Sequence, residues 1–254
     1  MGALLISALL GNSAVAAELP RLDAVGQRAL AEVSHLIVVT TDGWDAADAE
    51  LSLWVRAGGE WQRTLGPFEA VVGARGLSWG RGVSQPPEGA TRIKKEGDKT
   101  APAGVFRLGR VIGYAASAPL GLKLPYEQAS ARMRCVDDSG AAAYNQIAFA
   151  PADGKAAWSS SEKMRRKDHL YQRLALVDHN GLVGDAEPVK AGGSCIFLHV
   201  WRKPGKPTVG CTALSLEHLD RVLNAVAALD DVLLVQLPKR EHAAAVVAGW
   251  LPSK

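Results

Sequence analysis

Short apolar runs separated by glycine-rich segments dominate this sequence and limit what it can fold into. Of the 254 residues, 26 are glycine. Short β-branched and aliphatic runs bounded by turn-forming residues are typical of buried β-strands. Residues 51–55 place Leu51, Leu53 and Val55 at alternate positions, and Gly58-Gly59 follows, which predicts a hairpin. Further strands are predicted at 35–40, 105–108, 172–178, 195–200 and 232–237. The pattern therefore predicts one mainly β domain with a few helices.

Helical periodicity is confined to a few segments. Residues 216–229 have apolar residues at i, i+3 and i+4 spacing, and Ser215 is a suitable N-cap. A second, Ala-rich helix is predicted at 241–250, and a rough helical period runs through 21–34. The Gly-, Pro- and charge-rich stretch 80–103 is expected to be an exposed loop.

Composition and charge exclude several classes of protein. Apolar residues make up 48% and charged residues 22% of the chain, so disorder or a coiled coil is excluded as the main state. No apolar stretch reaches about 18 residues, the length that a membrane-spanning helix needs. The chain has 29 basic and 26 acidic residues. This near balance argues against a dedicated nucleic-acid-binding protein, which needs a concentrated basic face. These features leave the oligomeric state open.

The N-terminus resembles a secretion signal. Residues 1–17 contain no charged side chain and consist of an apolar run followed by small residues that suit signal peptidase. A signal peptide here places the mature chain, beginning near Leu19, in the periplasm. The alternative is an N-terminal helix of the fold itself. Residues 18–64 are expected to add a helix and strands that pack on a domain formed by 65–254.

The chemistry is concentrated in the stretch 192–215. A predicted strand ends at His199, a loop follows, and Cys211 comes twelve positions later, just before the predicted helix. Because an imidazole can take the proton of a thiol, His199 and Cys211 are the candidate base and nucleophile. Gly210 permits close approach of a substrate, and the N–H groups of Gly210 and Cys211 are the candidate oxyanion hole. The helix N-terminus is expected to lower the thiol pKa. The alternatives are a buried apolar cysteine and a hydrogen-bonded core histidine.

Several motifs occur in a characteristic order along residues 65–237. The main one is residues 193–199 followed by Thr208-Val209-Gly210-Cys211. The others are Glu96–Phe106 (EGDKTAPAGVF), Asp137-Asp138 with Tyr144-Asn145, Ser161–Met164 with Asp168 and Tyr171, and Asp178-His179-Asn180. Together they resemble the L,D-transpeptidase catalytic domain family (YkuD-type, ErfK/YbiS-like), in which a His and a spacer precede [ST]-x-G-C. The resemblance assigns 65–254 to such a domain and implies a β-sandwich-like fold of mixed sheets.

The resemblance also implies an enzyme that acts on peptidoglycan stem peptides without a metal or cofactor. Cys211 would attack the carbonyl between an L-centre and a D-amino acid, and His199 would take the thiol proton and later protonate the leaving amine. The acyl-enzyme would pass to an amine in a transpeptidase or to water in a carboxypeptidase. The same site could instead cleave protein–peptidoglycan links, or the chain could be a non-catalytic wall-binding module. Glu162 and Tyr171 are interpreted as structural residues that line the cleft.

Ser194, Arg202 and Thr208 are the expected substrate-binding residues. Where many family members have His and Arg around the nucleophile, this chain has Val209 and Ala213. A basic side chain of the preceding loop is therefore expected to hold a carboxylate of the peptide, and Arg202 is the leading candidate. A solvated surface charge is the alternative. A backbone carbonyl or Ser194 is expected to orient His199.

Cys135 and Cys195 allow different interpretations. In an oxidising compartment they could form a disulfide that leaves Cys211 free, but the sequence alone does not fix how the cysteines pair. A zinc site made by Cys195, His199, Cys211 and His179 is the alternative, but the paired spacing of usual zinc ligands is missing. His179 is also a candidate second base.

Overall fold

The computed structural model describes residues 19, 21, 24–184, 186–249 and 251. The strands are β1 (His35–Thr41), β2 (Asp48–Ala57), β3 (Glu60–Val71), β4 (Leu77–Trp79), β5 (Ala101–Gly113), β6 (Tyr126–Gln128), β7 (Met133–Cys135), β8 (Ile147–Phe149), β9 (Glu162–Lys163), β10 (Arg173–Val177), β11 (Phe197–Val200), β12 (Thr212–Leu214) and β13 (Val232–Pro238). The helices are α1 (Ala24–Glu32), α2 (Leu216–Ala225) and α3 (Lys239–Val247), with a short 3-10 turn at Leu229–Asp231. The prediction of a mainly β chain with a few helices is confirmed.

Most of the strands form one mixed sheet that closes on itself. Its order is β10-β11-β12-β3-β2-β1-β13-β5, and β10 also pairs with β5. The pairs β1–β13 and β11–β12 are parallel. The sheet is therefore barrel-like and differs from the two facing layers of the implied β-sandwich, because the β10–β5 pairing closes it.

Three neighbouring strands, β1, β13 and β5, form the centre of the hydrophobic core. β13 is buried at every residue and β1 at most of them, which explains why both read as continuous apolar runs instead of alternating ones. Helix α3 packs on β13 and β1, and α2 packs on β11 and β3. The main sheet is thus covered by helices near its centre and behind the strand that carries His199.

The helix α2 begins as predicted. The Ser215 side chain accepts the N–H of His218 at 3.1 Å, which confirms the N-cap. Leu219, Val222 and Leu223 form its buried face. The helix ends at Ala225 and not at residue 229, and the chain then turns into β13.

The stretch 80–103 differs from the exposed loop that its composition predicts. Ser84, Lys94 and Thr100 are buried. The Ser84 hydroxyl accepts the N–H of Val105 at 2.8 Å, and β5 already begins at Ala101. Polar side chains that satisfy backbone groups allow this Gly- and Pro-rich segment to be packed against the sheet.

A second, small sheet has the order β8-β7-β9. Its strands contain only two or three residues, and β7 pairs antiparallel with both neighbours. Cys135 at the end of β7 forms a disulfide with Cys195, the pairing that the sequence allowed but did not fix, and Cys211 is a free thiol. The disulfide joins the small sheet to the segment just before β11.

The N-terminal part of the chain contributes to the same closed sheet. The hairpin β2–β3 is confirmed, with Gly58 and Gly59 at positive φ in its turn. The boundary expected between 18–64 and 65–254 falls inside β3. The expected signal peptide, 1–17, lies outside the described residues. Among the residues that are described, no helix has the length and apolar character to cross a membrane.

Candidate active site

The strands β11 and β12 place His199 and Cys211 on the same face of the sheet. In this parallel pair Leu198 is level with Thr212 and His199 with Ala213. Continuing the register by one residue puts Phe197 level with Cys211, and the Phe197 N–H donates to the Cys211 Sγ at 3.3 Å. Side chains alternate between faces along a strand, so the side chains of Cys211 and His199 share one face.

The Cys211 thiol is buried and protonated. Its S–H donates to the Cys195 carbonyl at 3.5 Å. Burial raises the pKa of the thiol well above its usual range, and the negative charge of Glu162 raises it further. The expected lowering of this pKa by a helix N-terminus is wrong, because β12 and Ser215 separate Cys211 from α2.

His199 is held as a neutral imidazole of defined orientation. Its Nδ1 lies 2.8 Å from the Val200 carbonyl oxygen, so Nδ1 carries the proton and Nε2 is the nitrogen that can accept one. Burial lowers the pKa of His199 to about 4. The Tyr171 ring packs edge-on against the imidazole at 5.3 Å between ring centroids. A backbone carbonyl or Ser194 was expected to orient His199, and in the structure the Val200 carbonyl does so.

Thr208 fixes the loop that carries the nucleophile. Its Oγ1 donates to the Cys211 carbonyl at 2.6 Å and accepts the Gly210 N–H at 3.1 Å. Its backbone N–H donates to Val72, and its carbonyl accepts the N–H of Ala74. The hydroxyl that was expected to bind substrate is thus already engaged within the loop.

Gly210 has a conformation that suits glycine. Its φ is 157°, and a Cβ at this position would lie 3.3 Å from the Thr100 carbonyl oxygen. Since the Gly210 N–H donates to Thr208, it is not free for an oxyanion. Of the two expected oxyanion donors, the Cys211 N–H remains the candidate.

Two cavities flank the nucleophile. The first, which we call the His199 cavity, has a volume of about 310 Å³ and is lined by His199, Tyr171, Arg202, Lys206, Thr208 and Cys211 among others. The second, the Ser194 cavity, has a volume of about 250 Å³ and is lined by Lys94, Glu96, Asp137, Ser194, Gly210 and Cys211 among others. Glu162, Val209 and Cys211 belong to both linings. The thiol therefore lies where the linings of the two cavities meet, and we call the two cavities together the cleft.

The expected substrate-binding residues are distributed over this cleft. Arg202 is half-exposed in the His199 cavity, 3.8 Å from the Asp168 carboxylate. Ser194 lies in the Ser194 cavity, where its hydroxyl donates to Glu96 at 2.7 Å. The structure therefore separates Arg202 and Ser194 into different cavities, on either side of Cys211.

Glu162 is closer to the chemistry than its sequence context indicates. Its carboxylate accepts the Tyr171 hydroxyl at 2.5 Å. Burial raises the pKa of Glu162, the Tyr171 hydrogen bond lowers it, and the nearby Asp137 raises it again. The expectation that Glu162 and Tyr171 line the cleft is confirmed. The effect of this carboxylate on thiolate formation was not predictable from sequence, because residues 162 and 211 are distant along the chain.

Lys94 is a second residue near the nucleophile that sequence patterns do not reveal. It is buried at the edge of the Ser194 cavity, and its Nζ donates to Asp98 at 2.6 Å and to the Lys95 carbonyl at 2.9 Å. Its positive charge lowers the pKa of Cys211 but is outweighed by burial. The only sequence signal was the EGD motif, of which Asp98 is part.

The remaining histidine candidate has a structural role. His179 is completely buried, its Nδ1 accepts the Arg81 N–H at 3.2 Å and its Nε2 donates to the Gly192 carbonyl at 3.1 Å. The alternative zinc set loses Cys195 to the disulfide. Within the described part of the chain, no group of three His, Cys, Asp or Glu side chains is arranged to hold a metal ion.

Comparisons with protein-family models, with curated proteins and with solved structures find no match for this chain. Its function therefore has to be inferred from the geometry of the cleft and from the motifs within it.

Proposed function

We propose that this chain is an L,D-transpeptidase that forms an acyl-enzyme at Cys211 with a peptidoglycan stem peptide and passes the acyl group to an amine. The observation that carries the proposal is the placement of Cys211 and His199 on one face of the β11–β12 pair, both lining one cleft. The ordered motifs around them supply the substrate class. A buried structural cysteine would not need a neutral imidazole with an unprotonated nitrogen beside such a cavity.

The geometry supports a reaction that starts from a neutral thiol and a neutral imidazole. As the Cys211 Sγ attacks the peptide carbonyl carbon, the thiol proton leaves its hydrogen bond with the Cys195 carbonyl and passes to Nε2 of His199, and a tetrahedral intermediate forms. The imidazolium then gives that proton to the departing D-amino acid nitrogen, and the C–N bond breaks to leave a thioester. The Cys211 N–H supports the negative oxygen of the intermediate.

The second half of the reaction reverses these roles. An incoming amine attacks the thioester carbonyl, His199 takes the amine proton, and the Cys211 sulfur leaves and recovers a proton. Water in place of the amine gives a carboxypeptidase with the same residues. Arg202 and Lys206 in the His199 cavity give that side of the cleft a positive charge that suits a peptide carboxylate. We place the mature enzyme in the periplasm, after removal of residues 1–17.

One mass-spectrometric experiment tests this function. Purified protein is incubated with tetrapeptide muropeptides; transfer gives cross-linked dimers, whereas hydrolysis gives tripeptides. In parallel, a carbapenem should add its mass to the wild-type protein and not to Cys211→Ala. Unchanged muropeptides together with an unmodified wild-type protein would leave only a binding module and would refute the enzyme.

A further inference from the structure

We propose that the Cys135–Cys195 disulfide is a positioning element of the nucleophile, and that acyl transfer requires this bridge to be closed. The inference rests on the proposed function, because it concerns how the Cys211 thiol is presented to an acyl donor. It assigns to the bridge a task beyond stabilising the fold. Three observations lead to it, at the Cys195 end, at the Cys135 end and at the cleft between them.

The Cys195 end of the bridge touches the nucleophile directly. The Cys195 carbonyl oxygen accepts the Cys211 S–H, and the Phe197 N–H two residues later donates to the same sulfur. Cys195 has a φ of 55°, in the left-handed region that non-glycine residues rarely adopt. Its N–H is held by the Asn145 side-chain oxygen at 2.8 Å. The peptide that orients the thiol proton therefore belongs to a residue restrained both by its side chain and by Asn145.

The Cys135 end of the bridge carries one wall of the cleft. Cys135 is the last residue of β7, and it is paired in register with Glu162 of β9. Glu162 lines both cavities beside Cys211, and Asp137, two residues beyond Cys135, lines the Ser194 cavity. The disulfide is thus the covalent connection between the strand opposite Glu162 and the peptide that contacts the thiol.

An open bridge would alter the thiol in a predictable direction. The small sheet would remain attached through non-covalent contacts such as the hydrogen bond from the Asn145 side chain, just before β8, to the His179 carbonyl. Movement of this sheet would admit water to the sulfur and separate it from the Glu162 carboxylate. Both changes favour the thiolate. The same movement would displace the Cys195 carbonyl and widen the cleft, which impairs attack on a bound peptide.

The test compares wild type with the double variant Cys135→Ala/Cys195→Ala, so that both proteins have Cys211 as their one free thiol. Carbapenem acylation reports the presentation of the nucleophile. The pH profile of iodoacetamide alkylation reports its ionisation. Val33→Ala, which removes buried volume from the main core, controls for a loss of stability alone. All measurements are made at a temperature where circular dichroism shows each protein folded.

The proposal predicts opposite changes in the two reactions of the double variant. Acylation should slow by at least about tenfold, while the alkylation midpoint falls by about one pH unit or more; Val33→Ala should leave both near wild type. Equal acylation rates and alkylation profiles in wild type and double variant would overturn the proposal. If the double variant does not fold, wild type in glutathione redox buffers replaces it. The acylation rate should then follow the fraction of closed bridge and recover on reoxidation, and a rate independent of that fraction would overturn the proposal.

Failure of the proposed function gives a different result. Wild-type protein that leaves muropeptides unchanged and is not acylated by a carbapenem would refute the enzyme, but the alkylation profiles would still decide whether the bridge positions the thiol.

Discussion

The surroundings of Cys211 and His199 favour a neutral thiol and a neutral imidazole. The site therefore does not hold a preformed thiolate–imidazolium pair. Burial raises the pKa of the thiol and lowers that of His199 to about 4. At neutral pH both groups are therefore uncharged. The Glu162 carboxylate adds to this effect, and the positive charge of Lys94 opposes it only in part. The reaction that this site supports has to transfer the proton during the attack and not before it.

Replacing Glu162 tests this electrostatic interpretation. Glu162→Gln removes a negative charge near the sulfur, so the pKa of Cys211 should fall. A fall of one unit gives about tenfold more thiolate, and the lower basicity of that thiolate reduces the net gain in alkylation rate to about threefold. Iodoacetamide alkylation between about pH 8 and pH 10, where the thiolate fraction limits the rate, measures this. Glu69→Gln on an exposed part of β3 is the control, and an equal acceleration in both variants would contradict the assignment to Glu162.

Thr208 offers a second test at the scale of one side chain. Thr208→Val keeps the shape of the residue but removes the hydrogen bonds to the Cys211 carbonyl and from the Gly210 N–H. The loop should loosen, with a loss of about 1 kcal/mol in the free energy of unfolding and a fall in acylation of up to about a hundredfold. Urea unfolding and carbapenem acylation measure the two effects. Thr91→Val at an exposed position should change neither, and wild-type acylation by Thr208→Val would show that the loop does not need these bonds.

The elements that position the site were predictable where their pattern was strong. The apolar run before His199 and the capped amphipathic helix after Cys211 both occur in the structure, as β11 and α2. The small sheet β7–β9 was not predictable, because strands of two or three residues are too short to show alternation. β12 was missed for the same reason, and with it the strand that separates Cys211 from the helix N-terminus.

The N-cap of α2 gives a prediction at the scale of an element. Ser215→Ala removes the acceptor for the His218 N–H at the start of the helix. The free energy of unfolding should fall by about 1 kcal/mol, and carbapenem acylation should stay near wild type because β12 lies between the cap and Cys211. Thermal or urea unfolding measures the first quantity. A large loss of acylation in the folded variant would show instead that the helix start is coupled to the nucleophile.

At the scale of the whole molecule, the closed sheet and the disulfide create the cleft. Closure by β10–β5 pairing and the attachment of β7 through Cys135–Cys195 bring Glu162, Tyr171 and Cys211 into one lining. The His–Cys pair could be proposed from sequence because its members lie twelve positions apart at a strand and its returning loop. The carboxylate and the buried lysine could not, since their approach depends on strand order and on contacts between distant segments.

Two of the buried histidines, His179 and His199, make the stability of the whole fold depend on pH. Burial lowers the pKa of His179 to about 3 and that of His199 to about 4, from an ordinary value near 6.5. Between about pH 6.5 and pH 4 the unfolded chain binds protons that the folded chain does not. The free energy of unfolding should therefore fall as the pH is lowered through this window, by up to about 1.4 kcal/mol per pH unit for each histidine. Above about pH 8 both are neutral in both states and contribute no slope.

Single replacements separate this effect from that of the carboxyl groups. The raised pKa values of Glu162 and Asp178 act in the opposite direction, because these groups take up protons in the folded state first. His179→Gln removes one titrating imidazole. The slope of unfolding free energy against pH should therefore become flatter by up to about 1.4 kcal/mol per pH unit, whatever the substitution does to stability at neutral pH. Thr91→Val, which removes no titrating group from an exposed position, should keep the wild-type slope. Urea unfolding at several pH values between about pH 7 and pH 4.5 gives these slopes. Equal slopes for His179→Gln and wild type would mean that burial does not lower the pKa of His179 and that the imidazole becomes charged inside the folded protein.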